Sequence, residues 1–208
     1  MKQYRGCSRL VFAPYTYDAK AGKVSFGEVK PFAEVKSVSR EISSESEEIW
    51  ADNKLQDTIY GGTSVTRTFG CMRIDPAVAA EVLGQSVVAV GTHKMYGNAA
   101  DGSARPYIAV GYALHDGEVN RPCEVVWAYK GIVNSITQTA NTIDRGTGSE
   151  GQEVNITFSA PDVPWTGTGK NELDMAMPIT AADAALVEKW FATVVTPDNA
   201  TTALGVTG

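Results

Sequence analysis

Two histidines and three cysteines are the side chains in this sequence that metal or nucleophilic chemistry would use first. A metal site on a helix needs a second ligand one turn away, and neither His93 nor His115 has such a partner four residues on. Cys7, Cys71 and Cys123 show no CxxC spacing, so the sequence indicates neither a zinc site nor a disulfide framework. Three reduced thiols, most of them buried, are expected.

One glycine-rich segment, Gly167-Thr168-Gly169-Lys170, has part of a phosphate-binding loop. A complete P-loop has a glycine five residues before its second glycine and a serine or threonine after the lysine. This sequence has Pro164 and Asn171 at those positions, and no strand-to-helix context surrounds them. A GxSxG nucleophile motif is also missing. The sequence therefore predicts no catalytic residue, no cofactor and no metal.

Composition limits the class of protein further. The 208 residues suit one domain, and a hydrophobic fraction of 43% is enough for a sizeable core. A net charge of −6 argues against a nucleic-acid-binding surface, which needs clustered lysine and arginine. No apolar run approaches about 20 residues, and the first residues lack a signal-peptide core. We therefore expect synthesis in the cytoplasm and no membrane-spanning segment.

Strand patterns predominate, which predicts a mainly β fold of roughly eight to ten strands arranged as a sandwich or barrel. In the alternating segment Ser64–Ile74, Val65, Arg67, Phe69 and Cys71 share one face. Pro14 is expected to end the first strand. The predicted strands are Ser8–Ala13, a short one near Gly27–Val29, Ser64–Ile74, a pair within Gln85–Tyr96, Tyr107–His115, Asn120–Lys130, Ile132–Ala140, Glu153–Ser159 and a short edge strand at Leu173–Pro178.

Two short helices are predicted. Asp75 is a good N-cap with Pro76 at the first helical position, and Gly84 ends that helix. The second helix covers Thr180–Val194, where Thr180 and Asp183 resemble a capping box and the apolar stripe is read as packing. The remaining tail is poor in apolar groups and is expected to fray.

The segment Ser37–Gly62 is the unusual part of the chain. It begins as a strand with Val38, Arg40 and Ile42 on one face, and then becomes strongly acidic. It lacks the spacing of a calcium loop, so its acids are read as a solvated charged segment. Its apolar residues, which are candidate anchors, are Trp50, Leu55, Ile59 and Tyr60. Its acids are Glu41, Glu45, Glu47, Glu48, Asp52 and Asp57.

The order and spacing of several segments resembles the major tail protein, the tail-tube subunit, of long-tailed, siphovirus-type bacteriophages. The start RGCSRLVFAPYT is close to that family's "G…L.YAP.T", and the strand Val35–Ser43 leads into acids and Ile49–Asn53, similar to its "E…YADN". The resemblance covers about residues 6 to 195. The further matching segments are Thr63–Ile74 with the helix ending at Leu83-Gly84, Tyr107–Tyr112 and Trp127–Gly131.

This resemblance implies a single tail-tube domain over residues 1–195, with a C-terminal tail over 196–208 and an extended arm at about 43–62. Members form hexameric rings that stack into the tail tube of the virion, together with tail proteins such as the tape measure and the tail terminator. DNA passes through the lumen without specific binding. The arm reaches a neighbouring ring, so the four apolar residues become candidate inter-ring anchors. Its acids either face the lumen or pair with lysine and arginine of the next ring.

Two other interpretations remain open on the sequence alone. One is a related β-sandwich component, such as a head–tail joining protein or the tube protein of a secretion system. The other is a carbohydrate-binding sandwich that uses exposed aromatic side chains such as Trp50 and Trp165.

Overall fold

The computed structural model describes residues 4–51, 54–98, 105–117, 122–139 and 151–206, with only the backbone for 45–51, 54–60 and 181. The protein is mainly β, as predicted: one large antiparallel sheet carries few short helices. The strands are β1 (Gly6–Asp18), β2 (Lys23–Phe26), β3 (Lys30–Ala33), β4 (Val35–Ala51), β5 (Lys54–Cys71), β6 (Ser86–Val90), β7 (His93–Gly97), β8 (Ile108–His115), β9 (Pro122–Gln138), β10 (Gln152–Phe158) and β11 (Asp174–Pro178). The helices are α1 (Pro76–Leu83), α2 (Ala184–Ala192), which follows a 3₁₀ turn at Ala181–Asp183, and α3 (Ala200–Leu204).

The large sheet closes on itself. Its hydrogen-bonded neighbours run β2–β1–β8–β9–β10–β5–β4, and β11 pairs with β9. Strand β3 pairs with β1 at Leu10–Phe12, while β4, which begins almost directly after β3, pairs with β5. The segment that contains β3 and β4 therefore pairs first with β1 and then with β5. Because it connects these two strands, the sheet closes into a barrel. A separate hairpin consists of β6 and β7.

The barrel interior is filled by alternating apolar side chains. The prediction for the segment around β10 is confirmed, since Val154, Ile156 and Phe158 are each at most 1% exposed. Residues of a strand that are two apart share one face, so the intervening residues of β10 point away from this core. The other large apolar side chains of the interior are Leu10, Phe12, Phe32, Val65, Phe69, Ile108, Val110, Tyr112, Val126 and Val133.

A second apolar layer lies outside the barrel wall, under the C-terminal helices. Trp127 and Tyr129 of β9 are fully buried there. The indole N–H of Trp127 donates to the carbonyl of Trp190 at 2.9 Å, and the hydroxyl of Tyr129 donates to the carbonyl of Val195 at 3.0 Å. Because large aromatic groups bury much area and their polar atoms are satisfied here, they hold α2 and the chain after it against the wall.

The predicted start of α1 is confirmed, whereas the helix predicted over Thr180–Val194 begins as the 3₁₀ turn Ala181–Asp183 and is α-helical over Ala184–Ala192. Asp75 accepts a hydrogen bond from the amide of Ala77 at 2.7 Å, and Gly84 adopts the left-handed conformation that ends α1. The amide of Thr180 donates to Asp183 at 2.7 Å. In the described residues, no helix is long and apolar enough to cross a membrane.

Three expectations about the chain end and strand breaks are wrong. The tail forms α3, and its Leu204 is only 5% exposed because it packs into the outer apolar layer. Pro14 does not end β1, since its carbonyl still accepts from Gly27 at 2.9 Å and only its missing N–H is lost from the ladder. Likewise, the two strands expected on either side of Gly131 form one strand, β9.

Gly131 is required by close packing at the centre of the barrel wall. A Cβ at this position would lie 2.5 Å from Cε1 of Phe158 and 2.9 Å from Cγ2 of Ile156. We expect Gly131→Ala to lower the free energy of unfolding by about 1–3 kcal/mol, measured by urea denaturation, because the core must shift. The control is Gly97→Ala in β7, where no atom lies within 4 Å of the new methyl group. Equal unfolding midpoints for the two variants would contradict this account.

Candidate functional site

The nearest approach to a catalytic group is a contact between Ser8 and His115. The Ser8 hydroxyl lies 2.7 Å from Nε2 of His115, and the imidazole is 7% exposed. A nucleophilic triad also needs a third group that orients the imidazole through Nδ1, so this contact alone forms a pair rather than a triad. His93 lies far along the chain at the exposed start of β7. No cluster of three potential metal ligands occurs in the described ranges.

The glycine-rich segment Gly167–Lys170 forms a turn rather than a phosphate-binding loop. The amide of Gly167 donates to the carboxylate of Asp198 at 2.8 Å, and the amide of Gly169 donates to the carbonyl of Trp165 at 2.7 Å. These bonds use the N–H groups that would otherwise contact a phosphate, so the partial motif has a structural role.

The expectation that Trp165 is an exposed, sugar-stacking aromatic is wrong. Its side chain is 4% exposed, and its ring centroid lies 4.9 Å from that of Tyr129. The indole is buried because the turn after it folds the segment onto the outer face of β9. This removes one of the two aromatic side chains on which the carbohydrate-binding interpretation depended. The side chain of the other, Trp50, lies outside the described residues.

The acidic arm is a two-stranded ribbon made by the far halves of β4 and β5. Its ladder runs from Ser44 opposite Thr63 to Ala51 opposite Lys54. Strand β5 pairs with β10 only from Val65 onward, so in the described structure residues 44–51 and 54–63 pair with each other alone. At about 3.3 Å per residue the ribbon extends about 25 Å beyond the barrel wall.

The candidate anchors and most of the candidate acids lie on this ribbon. Trp50 is opposite Leu55, Tyr60 is opposite Ser46, and Glu41 is exposed at the base opposite Thr66. Glu45 lies where the register shifts between Ser44 and Ser46. The remaining cross-strand partners are Glu47 with Ile59, Glu48 with Thr58, and Ile49 with Asp57. Asp52 lies outside the described residues. For residues 45–51 and 54–60 the structure describes only the backbone, so the contacts of these side chains stay a prediction.

Sequence reasoning missed a pair of arginines at the base of the ribbon. Arg40 and Arg67 are directly opposite each other on β4 and β5, a position where like charges repel. Asp174 of β11 binds both: Arg40 lies 3.0 Å from its Oδ2, and Arg67 forms a short ion pair with the same oxygen. The sequence did contain a signal for this pair. Arg40 lies between Val38 and Ile42, and Arg67 lies between Val65 and Phe69, so each arginine interrupts an otherwise apolar strand face.

Arg67 is almost completely buried, at 1% exposure, among aromatic rings. Its Nε donates to the hydroxyl of Tyr112 at 3.0 Å, and its guanidinium carbon lies 5.1 Å from the ring centroid of Phe158. Burial raises the pKa of Tyr112, and the nearby guanidinium partly opposes that increase. The Nη1 atom of Arg67 has no hydrogen-bond partner among the described residues. Asp174 is therefore the group that neutralises a buried cation.

A cavity of about 540 Å³ opens beside this ion cluster. It lies between the first residues of β1 and the first part of β4, two segments that no described ladder joins. We call it the seam pocket, and its charged lining residues are Arg5, Lys36, Arg40, Arg67, Glu124 and Asp174. Glu124 accepts from the hydroxyl of Tyr4 at 2.5 Å, and this hydrogen bond raises the pKa of Tyr4 to about 12. Four cations and two anions make the pocket basic.

No family model and no curated protein matches this chain. Among solved structures, it is similar to a chain of the tube-terminating cap of the anti-feeding prophage, with 10% identity, a TM-score of 0.42, and coverage of 83% of this chain and 89% of that one. A chain of an extracellular contractile injection system sheath–tube complex gives 11% identity, a TM-score of 0.40, and coverage of 83% and 90%. A chain of the native gene transfer agent virion gives 10% identity, a TM-score of 0.33, and coverage of 72% and 91%.

Proposed function

We propose that this protein is a structural, non-enzymatic subunit of a phage-type tail. More narrowly, it is the tail-tube subunit, which polymerises as stacked hexameric rings and forms the conduit for DNA ejection. This proposal combines the sequence resemblance over residues 6 to 195 with the physical properties of the ribbon and of the exposed apolar surface.

The observation that carries the proposal is the ribbon, residues 44–51 and 54–63. A two-stranded ribbon alone is marginally stable in water, and its open edges can pair with another chain. Its sequence nevertheless contains five large apolar residues, Ile49, Trp50, Leu55, Ile59 and Tyr60, and Ile42 at its base is 57% exposed. A segment of this kind is stabilised when a neighbouring subunit covers it, as in a polymer.

A second exposed apolar surface points in the same direction. On one face of the β6–β7 hairpin, Val88, Val90 and Met95 are each more than half exposed, and Val88 is the cross-strand partner of Met95. Contiguous apolar surface on a soluble chain marks an interaction site. Head-to-tail contacts between identical subunits close into rings or propagate as filaments, and a tube uses both.

The charge of the chain suits a conduit rather than a DNA-binding protein. With a net charge of −6 per subunit, an assembled ring is strongly acidic. Acidic groups near the path repel phosphate over the Debye length of roughly 8 Å at physiological salt, so DNA passes without binding. In this role the partners are further copies of the chain, and tail proteins such as the tape measure and the tail terminator, within the virion tail.

The test is electron microscopy of the purified full-length protein over a range of concentrations. We expect rings or hollow tubes. Strictly monomeric protein at high concentration, together with a parent particle that contains no tube of this chain, would refute the proposal. Counting copies in the particle separates the related roles, because a tube subunit occurs in many rings and a head–tail joining protein in one.

A further inference from the structure

The net charge of this chain is unevenly distributed. Residues 45–57 contain five acids and one base, so this short segment of the ribbon carries −4 of the total −6. The seam pocket has the opposite sign, with four cations against two anions. One surface of the subunit is therefore complementary to another surface of the same subunit.

The pocket has more cationic groups than its own carboxylates satisfy. Arg40 and Arg67 share the single carboxylate of Asp174. Arg40 is about half exposed, at 46% of its side chain, and its contacts in the described structure use only Nη2. Its Nε and Nη1 groups are thus available to a further carboxylate, which charge-assisted hydrogen bonds would hold strongly. The exposed Lys36 adds a second accessible cation at the same wall.

The ribbon of one subunit does not reach the seam pocket of the same subunit without losing its own ladder. Arg40 and the ribbon lie on one strand, β4, and beyond Ser43 that strand pairs with β5 as far as Ala51, with register shifts between Ser44 and Ser46 and between Ile49 and Trp50. Folding back would break those cross-strand hydrogen bonds. The acidic and basic surfaces consequently meet only between two copies, in a head-to-tail contact.

We propose that the seam pocket is the receptor for the ribbon of a second copy of this chain, whose glutamates donate the missing carboxylates to Arg40 and Lys36. Glu45, Glu47 and Glu48 are the ribbon acids on β4 nearest the barrel. This inference rests on the proposed self-assembly and specifies its interface. The contact is salt-sensitive, because partly exposed ion pairs are screened by salt.

A charge swap tests the pairing. The pocket variant carries Lys36→Glu and Arg40→Glu, the ribbon variant carries Glu45→Lys and Glu47→Lys, which are two residues apart on β4, and the swapped variant carries all four. We expect each two-site variant to raise the critical concentration for assembly by about tenfold or more, and the swapped variant to recover to within about threefold of wild type. Light scattering and sedimentation at low and high salt measure this, while circular dichroism and urea unfolding check the fold.

Matched controls reverse charges elsewhere: Lys23→Glu on β2 and Glu153→Lys on β10, both exposed. They should assemble like wild type. A pocket variant that folds and assembles normally would overturn the inference while leaving the proposed function intact. The same holds if both two-site variants assemble poorly and the swapped variant shows no recovery of assembly. A wild-type chain that forms no assembly at any concentration, together with a parent particle that contains no tube of this chain, would instead refute the proposed function itself.

Discussion

An Asp174→Asn variant is expected to lose about 3–5 kcal/mol of its free energy of unfolding, because removing one partner of a buried ion pair leaves an uncompensated charge. Arg67 is 1% exposed, and in the part of the chain that the structure describes it keeps the Tyr112 hydroxyl as a neutral partner. It also lies directly opposite Arg40, whose repulsion Asp174 no longer offsets. Urea denaturation followed by tryptophan fluorescence, below the assembly concentration, measures the loss.

The matched control for this variant is Glu81→Gln. Glu81 pairs with Lys30 at 2.6 Å, but both side chains are 39% exposed, so the loss should be at most about 1 kcal/mol. A second variant, Arg67→Met combined with Asp174→Asn, should recover part of the stability because it removes the buried charge as well. The explanation is wrong if Asp174→Asn costs no more than Glu81→Gln.

Replacing the ribbon with a tight turn should abolish assembly and leave the barrel folded. Ser44 and Thr63 are cross-strand partners, so an Asn-Gly dipeptide in place of residues 45–62 closes β4 and β5 as a two-residue hairpin. The barrel ladders of β5 begin at Val65 and remain complete. We therefore expect a monomer with an unfolding midpoint close to that of the full chain, and no rings or tubes by electron microscopy.

Wild-type protein in the same buffer is the reference for assembly, and Lys23→Glu on β2 is a folded control with an unaltered ribbon. Normal tube formation by the shortened chain would show that the ribbon has no role in assembly. A shortened chain that unfolds at much lower urea concentration would show that the ribbon also stabilises the barrel, against the pairing described above.

Helix caps and strand faces could be predicted from the sequence, because they depend on residues that are close together along the chain. The N-cap at Asp75, the left-handed Gly84 and the alternation of Val154, Ile156 and Phe158 are all confirmed, because caps and strand faces involve residues within a few positions of each other. The extended acidic arm was also recognisable, although the pairing of β4 with β5 as a two-stranded ribbon was not.

Ion pairs and burial that depend on residues far apart in the sequence could not be predicted. Arg67 lies on an otherwise apolar strand face, but its partner Asp174 follows 107 residues later and is brought near by the pairing of β11 with β9. The burial of Trp165 and Leu204 depends in the same way on how the C-terminal segments pack on β9.

By itself, the sequence determined that this is a mainly β protein with an acidic arm, since composition and two-residue alternation are properties of short segments. The tertiary structure decided that the sheet closes through β3 and β4, that one carboxylate serves two opposed arginines, and that a basic pocket opens at the seam. Closure and burial bring together residues that are far apart in the chain. Whether a charged side chain destabilises the fold or binds a partner therefore depends on neighbours that are distant in the sequence.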